Sequence, residues 1–409
     1  LSYFSVFLNP KDDLGAFTGY IDITEDVVWK SFSSFTQKLD SNDYDTGVFK
    51  HNALDLKLHN QHGKYSDVNT IDSVFRNRRG GSKVRISWRV QQREVACGSL
   101  PCGTGSAHVG PTINIFDGIL NDDATTLDID DQQINFKVLS GDSLFREVET
   151  NYSSLNIGDL SSTVIYTILN QTEITKHLTV SAGNISCGLD LSMDIVTPFE
   201  NQTVKQTLDE VLFGSNSVLW VRDQTVYVKP RTGGATSQKT FYGQASNNGI
   251  EDVQKMSNIS AGRNNVFNFW TWKDTTLVKS DATSIGKNGL RKKEMNIDHL
   301  TNTTKRNLLL EDQKTTFADI KQEFDLTTPI NYETLALTFL DKVNVDYPSP
   351  VSAPRPGVEI PIYGLAIYGT AIYPRTETSI TIPVSTNFKI MGMKINRSNQ
   401  SITFKLKEM

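Results

Sequence analysis

The sequence predicts a mainly β chain with minor α content, and three observations carry that prediction. The stretch from Asn387 to Met409 reads as one hairpin: Phe388, Ile390, Met393 and Ile395 precede a polar turn, and Ile402, Phe404 and Leu406 follow it. Apolar residues recur at every second position elsewhere too, in Leu54, Leu56 and Leu58, in Val84, Ile86, Trp88 and Val90, and in Ile134, Phe136 and Val138. This is the period of a strand with one buried face. The chain is also rich in Asn, Thr, Ser and Asp, which favour turns and exposed strands over helices.

Element by element, the first third reads as β. Tyr20-Ile-Asp-Ile-Thr24 is a strand candidate, and Ile113 to Ile119 is another that ends near a glycine bend. Repeated short strands with turns between them predict a sandwich or barrel. Two long loops interrupt it, Tyr65 to Ser82 and the glycine-containing stretch from Ala96 to Pro111. Loops of that length are usually functional or ordered by a partner.

Residues 150–235 change character. Ser161 to Asn170 is a short helix candidate. Thr203 to Phe213 is a stronger one, because Val204, Leu208, Val211 and Leu212 share one helical face and Gly214 follows as a stop. Ser217 to Arg231 reads as a hairpin turning near Asp223-Gln224, which makes this region a compact α+β unit. Thr232 to Asn248 reads as a linker. A second β region opens at Asn265 to Trp272. It includes a helix over about Asn302 to Lys314 with Leu308 to Leu310 as its apolar side, then strands at Glu323 to Thr327, Thr334 to Leu340 and the terminal hairpin.

An insertion at about 346–378 breaks this second region. Pro348, Pro350, Pro354, Pro356 and Pro361 forbid a central strand there. A five-residue repeat follows: Ile362-Tyr-Gly-Leu-Ala, Ile367-Tyr-Gly-Thr-Ala, Ile372-Tyr-Pro. An odd period swaps sides at each repeat in a strand, so Tyr363, Tyr368 and Tyr373 do not line one sheet face. The pattern suits an apolar arm docking on a neighbour, or a loop packed on its own domain.

The 409 residues suffice for several domains, and 38% hydrophobic content supports folded cores. There is no apolar run long enough to span a membrane, and no secretory signal is expected. A net charge of −5 argues against a general grip on the nucleic-acid backbone, which needs clustered Lys and Arg. Cys97, Cys102 and Cys187 are too few for a disulfide framework. Cys97 and Cys102 with His108 make at most part of a metal site. His59 and His62 read as surface histidines, and Asp128-Ile-Asp-Asp131 as an edge strand with outward carboxylates. No GxSxG, HExxH or phosphate-binding loop is present, so no catalytic, cofactor or metal residues are expected. The basic cluster of Arg76, Arg78 and Arg79 suits a solvated loop or salt bridges between subunits.

Several stretches in this order resemble the central hub proteins of phage tails. They are Tyr20 to Val28, Gly47-Val-Phe49, Leu54 to Tyr65, Ile115-Phe-Asp-Gly-Ile119, the helix and hairpin from Thr203 to Arg231, and Leu340-Asp-Lys-Val-Asn-Val345. The Ile-Tyr-Gly insertion departs from that pattern. The resemblance implies two tail-tube-like β-barrel or sandwich domains, at 1–140 and 236–409, flanking a small α+β domain at 141–235. It implies a homotrimer whose six barrels form a ring in the virion, assembled in the host cytoplasm. The tube or a distal tail ring would lie above it and a tip or spike protein below. Tape measure and DNA would pass through without specific binding. Tyr363, Tyr368, Tyr373, Arg76, Arg78 and Arg79 are then the candidate inter-subunit contacts. Two other classes compete: a receptor- or glycan-binding tail module, with Trp270 and Trp272 as the nearest aromatic platform, and a tail-associated hydrolase, with Cys97 and His108 as its suggestive pair.

Overall fold

The computed structural model describes residues 3–11, 16–30, 34–38, 53–65, 73–75, 81–91, 109–128, 130–243, 252–260, 266–273, 275–346, 351–354, 379–382 and 386–409. The fold is mainly β, built on two curled sheets with a few helices.

The first sheet contains β1 (Tyr3–Asn9), β2 (Ile21–Asp22), β4 (Ala53–His59), β5 (Lys83–Gln91), β6 (Val109–Asp128) and β7 (Gln133–Ser140), in the order β2-β1-β5-β6-β7-β4. Leu54, Leu56 and Leu58 on β4, Val84, Ile86 and Trp88 on β5, and Ile134, Phe136 and Val138 on β7 all point into the core, as their alternation requires. One short segment closes this sheet on itself. Its start pairs with β1 (Phe7 with Asp22), and Val27 and Val28 reach β4 at the opposite end, where Val28 N donates to Lys57 O at 2.8 Å. Tyr20 to Thr24 is therefore only a two-residue strand, because the chain must turn there to cross from one sheet edge to the other.

The Asn60 to Tyr65 turn secures that closure. Asn60 Oδ1 accepts from Tyr65 N at 2.7 Å, which seats the fully buried Tyr65 so that its hydroxyl donates to Asp26 at 2.5 Å. Lys64 Nζ donates to the same carboxylate at 2.8 Å. Partial burial works against the charge of Asp26, but these two hydrogen bonds win and hold its pKa below the usual carboxylate range. Its stabilising contribution is thus present at neutral pH and is lost as the solution is acidified through that lowered value.

The long strand β6 pairs with β5 along its first half and β7 along its second, and at Gly118 it pairs with both. A Cβ at Gly118 would stand 2.7 Å from Leu139 O and 2.6 Å from Val138 Cγ1, so the bend needs glycine. Asp128 to Asp131 is not an edge strand. Asp128 ends β6, paired with Gln133, and Asp130 and Asp131 lie in the turn before β7, with Asp131 N donating to Asp128 Oδ1.

The second sheet contains β10 (Ser237–Tyr242), β11 (Lys255–Ser260), β15 (Glu323–Pro329), β16 (Lys342–Asp346), β19 (Thr386–Asn396) and β20 (Ser401–Glu408), in the order β10-β16-β19-β20-β15-β11. The terminal hairpin is its centre. The change of phase between Ile390 and Met393 in the sequence is a bulge between Ile390 and Gly392. The stretch read as a linker contains β10, which lies parallel to β16. A strand from the amino-terminal region, β3 (Ser34–Lys38), also joins this sheet by pairing with the far half of β19. Its Phe35 meets Phe116 of β6 edge-on at 4.8 Å, so one continuous apolar core runs through both sheets.

The α+β unit has its own core. It holds α1 (Ser161–Leu169), α2 (Thr172–Thr175), α3 (Val204–Gly214), β8 (Ser217–Arg222) and β9 (Thr225–Pro230). Thr203 and Gln206 cap α3 reciprocally. Gly214 is the last residue of that helix, not its stop, and its missing side chain admits His299. A further small layer comprises β12 (Phe269–Trp272), β13 (Val278–Ser280), α4 (Ala282–Asn288), β14 (Lys292–Met295) and α5 (Thr303–Phe317). On α5 the buried face is Leu309, Leu310, Gln313 and Phe317. Leu308 lies off that face and is half exposed. The insertion leaves β16 and returns to β19 through a two-stranded ribbon, β17 (Val351–Pro354) with β18 (Ser379–Ile382).

Candidate assembly surface

Two features bear on assembly: how rigidly the units are joined, and where a sheet edge stays open. The first depends on the β8–β9 turn. Asp223 and Gln224 both have positive φ, as a two-residue hairpin turn demands. The turn lies on the outer surface of β5 and β6. Arg85 Nε donates to Asp117 Oδ1 at 2.8 Å, lies 3.5 Å from Asp223 and covers the Tyr20 ring at 4.5 Å. Gln224 accepts from Lys83 Nζ at 3.0 Å and donates to the Tyr20 hydroxyl at 2.5 Å. Asn114 donates to Asp223 at 2.6 Å.

Burial dominates the electrostatics here. It raises the Asp117 carboxyl to about 6 against the pull of Arg85, and it lowers the Lys83 ammonium. Gln224→Ala leaves Lys83 short of a partner in a half-buried site, so it is expected to cost about 2 kcal/mol. Asp223→Ala, at an exposed carboxylate, is expected to cost under about 1 kcal/mol. Urea unfolding of the two variants checks the difference.

The same hairpin grips the segment between β15 and β16. Arg222 donates to the carbonyls of Leu335, Ala336 and Leu337 at 2.6, 3.2 and 2.8 Å. It thereby caps the carboxyl end of α6 (Tyr332–Ala336) with a cation. Lys229 pairs with Asp341 at 3.4 Å.

The open edge is on β10. Its end meets the start of β11, where Asp252 N and Val253 N donate to Tyr242 O at 3.0 and 3.3 Å. Among the described residues the second sheet closes at that corner alone. Since Tyr242 turns its carbonyl outward, alternation turns the N–H and C=O of Thr240 outward as well. Among the described residues no strand lies beside Thr240. That edge faces a cleft of about 610 Å³ shared with Tyr332 and Glu333.

The six residues singled out as inter-subunit contacts, Tyr363, Tyr368, Tyr373, Arg76, Arg78 and Arg79, lie outside the described residues. So do Cys97, Cys102 and His108. Trp270 and Trp272 are 0% and 2% exposed and offer no platform to a glycan. Cys187 is partly buried, and burial pushes its thiol up to about 11, away from nucleophilic character. The β10 edge was invisible in the sequence because only Phe241 of its six residues is buried.

No family model matches the chain, and no curated protein matches it by sequence. Solved structures do. A tail protein from Neisseria meningitidis MC58 superposes with a TM-score of 0.54 at 12% identity, covering 100% of this chain and 96% of that one. The chain has the fold of a phage-type tail protein. Two prophage tail proteins show the same likeness at a TM-score of 0.50 and 9% identity. One is the MuSo2 43 kDa tail protein from Shewanella oneidensis, covering 99% of this chain and 96% of that one. The other is gp18 from Listeria monocytogenes EGD-e, covering 98% and 94%. The likeness to tail proteins thus runs along nearly the full length of the chain.

Proposed function

We propose that the chain is a structural subunit of a phage tail tip or baseplate. Three copies close into a hub ring that joins the tail tube to the distal tip. Each copy supplies two barrel-like walls, so the ring presents six around a central channel for tape measure and DNA. Heterologous contacts that close after a fixed rotation make such rings. The tube or a distal tail ring packs above and a tip or spike protein below. The chain acts without turnover, in the virion, after assembly in the host cytoplasm. A mild negative charge suits a channel wall that DNA slides past.

The observation that carries this reading is the combination of two curled sheets that share one core with a flank at Thr240 that no strand among the described residues covers, which favours a wall segment awaiting a neighbour. Strand addition at such a flank supplies main-chain hydrogen bonds between copies. Thr240→Pro removes the outward N–H without touching the ladder to β16. It is expected to keep the monomer fold and to lower the solution mass from trimer to monomer. Wild-type protein that stays monomeric at all concentrations, or a Thr240→Pro variant that assembles like wild type, contradicts the proposal.

A further inference from the structure

We infer that Lys389 is a carbon dioxide site, where the side-chain amine adds CO2 to form a carbamate held among neighbouring cations. Its formation does not depend on the ring. Lys389 lies in a row of charges that runs straight across the second sheet. It stands opposite Lys342 of β16 on one side and Lys407 of β20 on the other, and Lys407 stands opposite Glu323 of β15. Directly paired residues project from one face, so three lysines share this row with a single carboxylate. Like charges placed opposite one another repel. Glu323 lies 2.9 Å from Lys407 and 3.9 Å from Lys405, so its charge is already divided.

The middle lysine of the row has both a path to solvent and a poor place for a positive charge. Lys389 is 6% exposed and lines a cleft of about 320 Å³ together with Lys321, Lys407, Asp312 and Met409. Burial, then Lys407, Lys321 and Arg231, bring its pKa down to about 7, with Glu323 pulling the other way. The other acids of the cleft are engaged or open to water. Asp312 accepts from Asn216, Glu408 accepts from Gln322 N at 3.1 Å, and Asp319 is exposed. A neutral amine at Lys389 escapes the repulsion. An anion in the same place is attracted by the cations that repelled the ammonium.

The step needs no reactant besides CO2. The nitrogen lone pair of the neutral amine attacks the carbon of CO2, one C=O π pair moves onto its oxygen, and the nitrogen gives a proton to solvent. The product, N–COO⁻, keeps one N–H. That N–H retains the bond that Lys389 Nζ makes to Arg231 O at 2.6 Å. The new carboxylate is left to the cations around the cleft, and charge-assisted hydrogen bonds are the strong ones. Arg231 directly follows β9 and Lys389 is on β19, so the carbamate strengthens the join between the α+β unit and the second sheet. CO2 that adds to the folded chain alone stabilises it by mass action.

The test incubates the full chain with carbon-13-labelled bicarbonate near pH 8, where the amine of folded Lys389 is mostly neutral and ordinary lysines are charged. Carbon-13 NMR detects carbamate, and trapping with an ethylating oxonium reagent followed by peptide mass mapping locates it. The expected result is an ethyl carbamate on Lys389, absent from the corresponding peptide of Lys389→Met. The unfolding midpoint of the wild type is expected to be about 3 °C higher in bicarbonate than in equimolar chloride, with no such shift in Lys389→Met. Lys321→Gln removes one of the cations and is expected to lower the trapped fraction about fivefold. Label confined to the amino terminus of the chain overturns the inference. So do bicarbonate that binds without a covalent bond, labelling of Lys389 no greater than that of exposed lysines, and a midpoint shift that Lys389→Met retains.

Discussion

Lys389→Met is expected to raise the stability of the isolated chain by about 3 kcal/mol at pH 6 and by much less at pH 10. Lys389 is 6% exposed on β19, and its ammonium donates to Arg231 O at 2.6 Å. Burial, then the nearby cations Lys407, Lys321 and Arg231, push its pKa down to about 7. The unfolded lysine titrates near ~10.4. Below pH 7 both states are charged and the cost of burying the charge is present in full. Between about 7 and 10.4 the folded state has lost a proton that the unfolded state keeps, so wild-type stability climbs across that window. Methionine has a similar length and no charge to bury, so its advantage shrinks over the same range. Urea unfolding of both proteins at several pH values checks this. A difference that does not change between pH 6 and pH 10 contradicts the assignment.

The second large effect is expected at Phe404. This ring is fully buried on β20, 5.6 Å from Phe241 of β10, so it links the centre of the second sheet to its open edge. Phe404→Ala is expected to cost about 4 kcal/mol through lost burial and the cavity left behind. The next residue points the other way: Lys405, 35% exposed, lies 3.9 Å from Glu323, and Lys405→Ala is expected to cost under about 1 kcal/mol. Thermal unfolding of the pair tests the facing of β20. Comparable losses at both positions contradict it.

That contrast also shows what could be read in the sequence. The terminal hairpin, β4, β5 and β7 were legible because each has one dry face and one wet face, written at period 2. The α3 helix was legible from Val204, Leu208, Val211 and Leu212, and the hairpin after it from two apolar runs around Asp223-Gln224. The strands β3, β10 and β11 were not legible. Each owes its place to main-chain pairing with a partner far away in the chain, and side-chain pattern carries little of that information. The crossing of Ile21 to Val28 between two sheet edges is equally non-local. The flank at Thr240 could not be foreseen, because it depends on which strands among the described residues pair with β10. The contacts of Gln224 with Asp117 and Lys83 join residues more than a hundred positions apart and became visible only once the hairpin tip lay on the first sheet.

The most direct test of the account is to image the purified chain at assembly concentrations by electron microscopy alongside its native mass. The account predicts particles of three times 45.7 kDa, ring-shaped, with six lobes around an open channel. Particles of one copy, or compact trimers with no channel through their centre, would contradict it.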